Sequence, residues 1–357
     1  MSRQYHNERK GRKSDRVPVH IALELYHVIF VCMGANEPRQ HHIVPAFYLA
    51  GFTDTGGIDG KLHVFDYFRT KQYRSSPRQV CRERDFYRIH ERDEDPYVME
   101  RNMAAVEQNI ALTLSEIVEG GKVFKLQQIG TILSLAALIT ARDHRGRIRL
   151  STVLAKSLRE HLEAGRISRE KWDEIRGAEL RAGVHSTELP EYDQAREMIR
   201  RGEWMPRAPH ILLVGMIPEM QHEVLNRLVD RPWELMITDP AMNGGFITSD
   251  SPLVWGSLDQ IQDDYLSASL NDPNLEMTFP VNKAQALISY PGARRANCTA
   301  TDTVVAHVNM RTLQLSMGLV FHASLNVLLR RANGQIAQGM DYFAYVEQAR
   351  RHGVLRP

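Results

Sequence analysis

Apolar positions change their spacing along this chain, and each change marks a different kind of element. Residues 40–90 carry short apolar runs between turn residues and read as β-rich. "KLHVFDYF", Lys61 to Phe68, is a strand candidate behind the turn-rich "TDTGGIDG". "SSPRQVCRERDFY" reads as a turn and a short helix ahead of Asp85, Phe86 and Tyr87. From about residue 96 the period lengthens. Met99, Met103, Val106, Ile110, Leu114 and Ile117 recur at steps of three and four, one amphipathic stripe that Gly120-Gly121 ends. A second helix is expected from about Phe124 to about Arg149. It is apolar on most sides between Ile129 and Ile139, so it should be buried. Residues 151–183 read as a charged helical hairpin, solvated or lid-like. Residues 209–230 read as a helix interrupted near Pro218, which closes a central helical part of about 96–230.

The last third returns to strand spacing. "WELMITD", "GGFITSD", "EMTFPV" and "QALISY" are short, apolar and turn-bounded. An apolar helix over 301–323 and an amphipathic one over 340–352 follow. Strands, then helices, then strands predict an α+β fold rather than alternating βαβ units. Its expected form is a short β-rich N-terminal segment, a large central helical region, and C-terminal antiparallel or mixed strands closed by a helix. "HHIVPAFYLAGF", His41 to Phe52, reads as two histidines opening a strand-like apolar run.

Composition narrows the function classes. The chain has 357 residues, 43% hydrophobic and 25% charged, which are ordinary globular values. Lys+Arg 45 against Asp+Glu 43 gives +2, far from the basicity of a protein that wraps nucleic acid by charge alone. Cys32, Cys81 and Cys298 are widely spaced and odd in number. That argues against a zinc ribbon or a disulfide scaffold and for reduced, cytoplasmic thiols. No run of 18 apolar residues exists, so no membrane span is expected. Residues 1–16 are polar and basic, and 17–32 are mostly apolar but interrupted by His20, Glu24 and His27. A secretory signal, a short amphipathic helix, and a translation start at Met33 all compete for this stretch. The expected division is a peripheral extension over 1–39, one α+β domain over 40–325, and a helical tail over 326–357.

Four groups could carry chemistry. His41 and His42 are adjacent, so on a strand one faces the interior and the other faces away. Imidazole serves as base, acid or metal ligand near neutral pH, and an inward histidine also serves as a hydrogen-bonded core residue. Glu100 and Glu107 are nearly two helical turns apart and project the same way. They could hold a divalent cation, act as acid and base, or line an exposed helix face. Arg142 continues the apolar line of Leu135, Leu138 and Ile139, where a guanidinium must be paired. It could clamp a phosphate or bridge to Glu100 or Glu107. With Arg145, Arg147 and Arg149 it makes a local basic patch that could meet a phosphodiester backbone, or a positive helix C-terminus. In "GGFITSDSP", Asp250 sits at a strand end, as a site carboxylate or as a turn former through its own side chain.

The segment "HHIVPAFYLAGFTD", with "KLHVFDYFRTKQYRSSPRQVCRERDFY" behind it, resembles the opening of the domain of unknown function 4238 family. The match runs through His42, Val44, Pro45, Phe47, Tyr48, Leu49 and Phe52, then Val64, Asp66, Ser76, Pro77, Asp85, Phe86 and Tyr87. Later features follow in order: Glu100 and Glu107, Arg142, "ITSDSP", "FPV" at Phe279 to Val281, and Asn309. The family often has Arg-Thr-Pro where this chain has Arg142, Asp143 and His144. The resemblance covers about residues 40 to 325. It implies a fold envelope and nominates Tyr48, Asp85, Tyr87 and Asn309 as further candidate binding residues.

Phosphate-loop, dinucleotide-binding, zincin and nucleophile-elbow signatures are absent from the sequence, so no nucleotide cofactor is expected. "HHIVP" also resembles the first strand of HNH endonucleases, which implies His42 as base and His41 as a metal ligand. No second ligand motif follows at that family's spacing. The expected function is a metal-dependent, nuclease-like hydrolase of phosphodiesters, with Mg²⁺ or Mn²⁺. In it His42 is the base, His41, Glu100, Glu107 and Asp250 serve as metal or acid–base groups, and Arg142 is the phosphate clamp. The alternative is a non-enzymatic ligand- or partner-binding module in which these residues brace the fold. Convergence on one cleft favours the first, and sealing in separate buried hydrogen bonds favours the second.

Overall fold

A computed structural model describes residues 40–88, 98–119, 126–181, 183–240, 242, 244–257, 270, 272–331 and 334–338. The expected extension over 1–39, the terminating Gly120-Gly121 and the helix over 340–352 lie outside the described residues. The fold is mixed α and β, with strands toward both ends and helices between.

Strand β1 (Gln40–His42) is followed by helix α1 (Ala46–Ala50), then β2 (Leu62–Asp66), β3 (Lys71–Ser75) and β4 (Arg82–Arg84). The apolar run after the histidines is therefore helical, not a strand. Pro45 has no N–H to continue a ladder, and its carbonyl accepts from Leu49 N to start the turn. The helical region is α2 (Val98–Glu119), α3 (Leu126–Arg142), α4 (His144–Glu163), α5 (Arg169–Arg181), α6 (Tyr192–Arg201), α7 (His210–Gly215) and α8 (Ile217–Val229). The expected helix through Arg149 breaks at Asp143. This residue is extended, at φ −70° and ψ 161°, and its side chain accepts from Gly146 N. Gly146 is required there by close approach, since a Cβ would meet the Thr140 carbonyl at 2.0 Å. The charged hairpin of α4 and α5 is packed rather than lid-like. Leu150, Leu154, Leu158 and Leu162 form a buried stripe; Trp172 packs on Leu158 and Leu162, and Leu212 and Leu213 pack on Leu150 and Leu154.

The remaining elements are β5 (Glu234–Thr238), β6 (Thr248–Ser249), β7 (Val254–Ser257), β8 (Leu275–Asn282), β9 (Gln285–Ser289), β10 (Ala296–Ala300), α9 (Asp302–Leu315), β11 (Leu319–His322), β12 (Leu328–Arg330) and β13 (Ile336–Gln338). A five-stranded mixed sheet runs β10-β5-β9-β8-β7, parallel only at β10–β5. Its pleat splits the core. Leu235, Leu287, Met277 and Phe279 join the apolar α3 residues Ile132 to Ile139 on one face. Met236, Ala286 and Ile288 meet Val305, Ala306 and Val308 of α9 on the other. All of β8 is buried because both faces are covered. Each large apolar side chain there contributes about 1.5–3 kcal/mol by burial.

A second sheet runs β3-β2-β11-β6. The apolar helix expected over 301–323 ends at Leu315, because Ser316 is extended and Leu319 to His322 fill the slot between β2 and β6. Gly318 allows that return, since a Cβ would meet the Phe68 ring at 2.2 Å. The described part of the expected helical tail is a β12–β13 hairpin. Leu328 and Leu329 are buried in it, and its β12 carbonyl at Leu328 accepts from Asn309 of α9.

Candidate functional site

Strands β1 and β4 pair antiparallel as a two-stranded ribbon, with His42 opposite Arg82 and His41 opposite Glu83. Left-handed backbone at Cys81 (φ 50°) and Asp85 (φ 55°) brackets β4 on both sides. Such positions each cost about 1–3 kcal/mol and persist only when their surroundings impose them. The alternation expected of the histidines is present. His41 is fully buried; its Nδ1 accepts from Tyr87 N at 2.8 Å and its ring stacks on Tyr87. His42 is half-buried.

The His42 ring has one nitrogen engaged and one open. Its Nε2 is buried with no hydrogen-bond partner among the described residues. Burial holds its pKa below the ordinary histidine value, and the Arg82 and Arg142 charges add to that. A hydrogen bond with the Arg78 backbone and the charge of Glu107 oppose it. Burial thus keeps the ring neutral, with Nε2 unmatched among the described residues. That condition costs about 1–3 kcal/mol in a buried site.

Glu107 and Arg142 come together, and the charges of both act on the His42 ring. Arg142 Nη1 lies 2.5 Å from Glu107 Oε1, with the arginine side chain only 1% exposed. The same Nη1 reaches Met103 Sδ at 3.8 Å. Of the alternatives open for Arg142, the structure shows the bridge to Glu107. Glu100 lies on the same helix, and its side chain is outside the described residues. Among the described residues, no three histidine, cysteine, aspartate or glutamate side chains converge as a cation would need. Glu107 Oε1 is occupied by Arg142, and His41 Nδ1 by Tyr87. The described donors thus do not fit a divalent cation.

A second polar cluster lies on the other side of the α3–α4 corner. Asp143 accepts from Gly146 N at 2.6 Å and from Ser251 Oγ at 2.5 Å. Asp250 accepts from Met317 N at 2.8 Å and Leu319 N at 2.9 Å, which fastens the turn after β6 to the start of β11. Burial pushes Asp143 up to about 6 and Asp250 up to about 7, against the lowering effect of these bonds and of Arg145. The turn role weighed for Asp250 is not what its carboxylate does: it is bound by Met317 N and Leu319 N at the start of β11 rather than within its own turn.

The other nominated residues are distributed through the fold. Tyr48 OH donates to the Pro280 carbonyl and pairs with Thr248 Oγ1, and burial pushes its phenol up. Asn309 accepts from Ile247 N and donates to the Gly245 and Leu328 carbonyls. Asp85 faces Arg84 and Arg88, and Tyr87 OH reaches the His42 carbonyl at 3.4 Å. The expected basic patch does not form. Arg142 and Arg145 are buried, Arg147 is held against Phe86 and His210, and Arg149 lies over Trp255. Sequence reasoning did not single out Arg82, and it placed Ser251 only in the turn with Asp250. Only the strand register and the α3–α4 break bring them to these clusters. Asp143 had a local signal, an aspartate three residues ahead of a glycine at a change of helix direction.

Cys81 and Cys298 are free thiols, and among the described residues no helix is long and apolar enough to cross a membrane. A family model described as a protein of unknown function (DUF4238) matches residues 40–325. No curated protein and no solved structure matches the chain.

Proposed function

The chain belongs to this family of proteins of unknown function, and we propose that it is a nuclease-like hydrolase of phosphodiesters with His42 as its base. The observation that carries the reading is the buried Nε2 of His42, which has no partner among the described residues, on a ring that feels the charges of Glu107 and Arg142. An imidazole kept neutral by burial is ready to take a proton from water attacking phosphorus. Glu107 then stabilises the imidazolium as it forms, since its charge favours the protonated ring. Arg142 holds Glu107 in place by their short ion pair; buried as it is, it suits that role better than gripping substrate. No step is assigned to a divalent cation, because the described donors do not fit one. The reading of a non-enzymatic module is favoured for Asp250 and Asn309 alone, whose side chains are committed to backbone groups.

The test is incubation with plasmid DNA and with RNA in Mg²⁺, Mn²⁺ or EDTA, comparing wild type with His42→Ala. Cleavage by wild type that falls about 10²–10⁴-fold in the variant is expected. Undiminished cleavage by the variant, or none by either protein in every condition, sinks the hydrolase. Cleavage that persists in EDTA separates the His42 step from any cation requirement.

A further inference from the structure

The chain between β2 and α2 is rich in arginine, and among the described residues its guanidinium groups, with one exception, face carboxylates. Arg69 pairs with Asp66, Arg74 with Asp54, and Arg78 with Asp59, while Arg84 and Arg88 both face Asp85. Arg82 differs. It is exposed, has no carboxylate partner among the described residues, and makes one hydrogen bond, from Nη1 to the Arg78 carbonyl at 3.2 Å. Its position is set by the β1–β4 register, which places it directly opposite His42 on the same face of the ribbon. The Arg78 carbonyl that accepts from Arg82 is on the residue whose backbone also engages the His42 ring. The strand register therefore sets the half-buried His42 and an exposed guanidinium side by side. The left-handed Cys81 and Asp85 pin the ends of that strand.

We propose that Arg82 is the phosphate-binding residue of the His42 site, gripping the phosphodiester backbone of a nucleic-acid strand on the exposed face of the ribbon. This rests on the hydrolase reading of His42 and supplies the anion contact that the buried Arg142 is too enclosed to make. A guanidinium fork matches two phosphate oxygens at once, and an arginine without a competing carboxylate keeps its remaining donors for them. Phosphate contacts of this kind fix position and carry no base preference.

Binding is measured by fluorescence anisotropy of a fluorescein-labelled single-stranded DNA oligonucleotide on the full chain in EDTA, across a series of salt concentrations. Arg82→Ala is expected to weaken binding about tenfold and to reduce the salt slope by about 0.7, the share of one released counterion on a single strand. Arg82→Gln, which retains a donor for the Arg78 carbonyl, is expected to lose the same slope, so that a folding defect is not mistaken for a lost contact. Arg78→Ala, whose charge is already matched by Asp59, is expected to leave the slope unchanged.

Wild-type affinity and slope in both Arg82 variants overturn the proposal, and so does a wild-type protein that does not bind the oligonucleotide. Loss of binding in the Arg82 variants while His42→Ala still cleaves overturns the hydrolase reading and upholds the Arg82 contact.

Discussion

Two buried polar clusters flank the break between α3 and α4, and they differ in how fully their groups are matched. Around Asp143 and Asp250, the carboxylate oxygens accept from Gly146 N, Ser251 Oγ, Met317 N and Leu319 N. Around Glu107 and Arg142, the ion pair is closed, yet the His42 Nε2 is buried with no partner among the described residues. A matched cluster fastens one segment to another. An unmatched polar group costs stability and is retained where another molecule completes it. The contrast explains why the carboxylates with the most perturbed protonation are assigned to the frame, and a histidine of modest perturbation to the chemistry.

The largest effect on stability is expected from Arg142→Ala. It deletes a fully buried side chain and leaves Glu107 without its cation, for a loss of about 3–5 kcal/mol in urea unfolding. A loss under about 1 kcal/mol would show that the pair is not part of the frame, and the contrast between clusters would fail on that side. Asp250→Ala comes next, at about 2–4 kcal/mol, because it strips the acceptor from two backbone N–H groups.

Asp250→Asn sharpens the comparison through pH. Folded Asp250 keeps its proton up to about pH 7, whereas an unfolded aspartate releases it near pH 4. Between those values the folded state binds more protons, so stability falls as pH rises from about 4 to about 7 and levels off above that. Asp143, held at about 6, contributes the same sign over a narrower window. The difference between wild type and Asp250→Asn, followed by urea unfolding across that range, is expected to amount to a few kcal/mol, on the order of the shift itself. A difference that stays flat with pH would mean the carboxyl is ionised in the folded state. The smallest effect is expected from His42→Ala, within about 1 kcal/mol of wild type, since the lost hydrogen bond to the Arg78 backbone is offset by removal of an unmatched ring nitrogen. A loss of several kcal/mol would place His42 with the frame.

Much of the fold is legible from spacing. Met99, Met103, Ile110 and Leu114 are buried as the stripe predicts, although Val106 is exposed; the Ile117 side chain lies outside the described residues. Ile132 to Ile139 are buried with the exception of Ser134, because a helix apolar on most sides has no other stable place. β5, β8 and β9 fall where turn-bounded apolar runs put them. The misreadings are short segments. Ala46–Ala50 has too few residues to show a period, and Leu319–His322 is apolar enough to pass for the end of α9. Of the candidate site, the opposite facing of His41 and His42 and the pairing of Arg142 with a helix glutamate were both foreseeable. The fourth nominated group was not: Asp250 receives its hydrogen bonds from residues 67 and 69 positions away.

The sequence by itself determined most of the longer helices and strands, most of their buried faces, and which titratable groups are available, because hydrophobic periodicity acts over a few residues. The tertiary structure alone decided which of those groups are matched. His41 is satisfied by Tyr87, Asp250 by Met317 and Leu319, and Arg82 stands opposite His42. A hydrogen bond or ion pair requires its partner within about 3 Å, and those partners are brought together from distant stretches of the chain only when the sheets and the α3–α4 corner form.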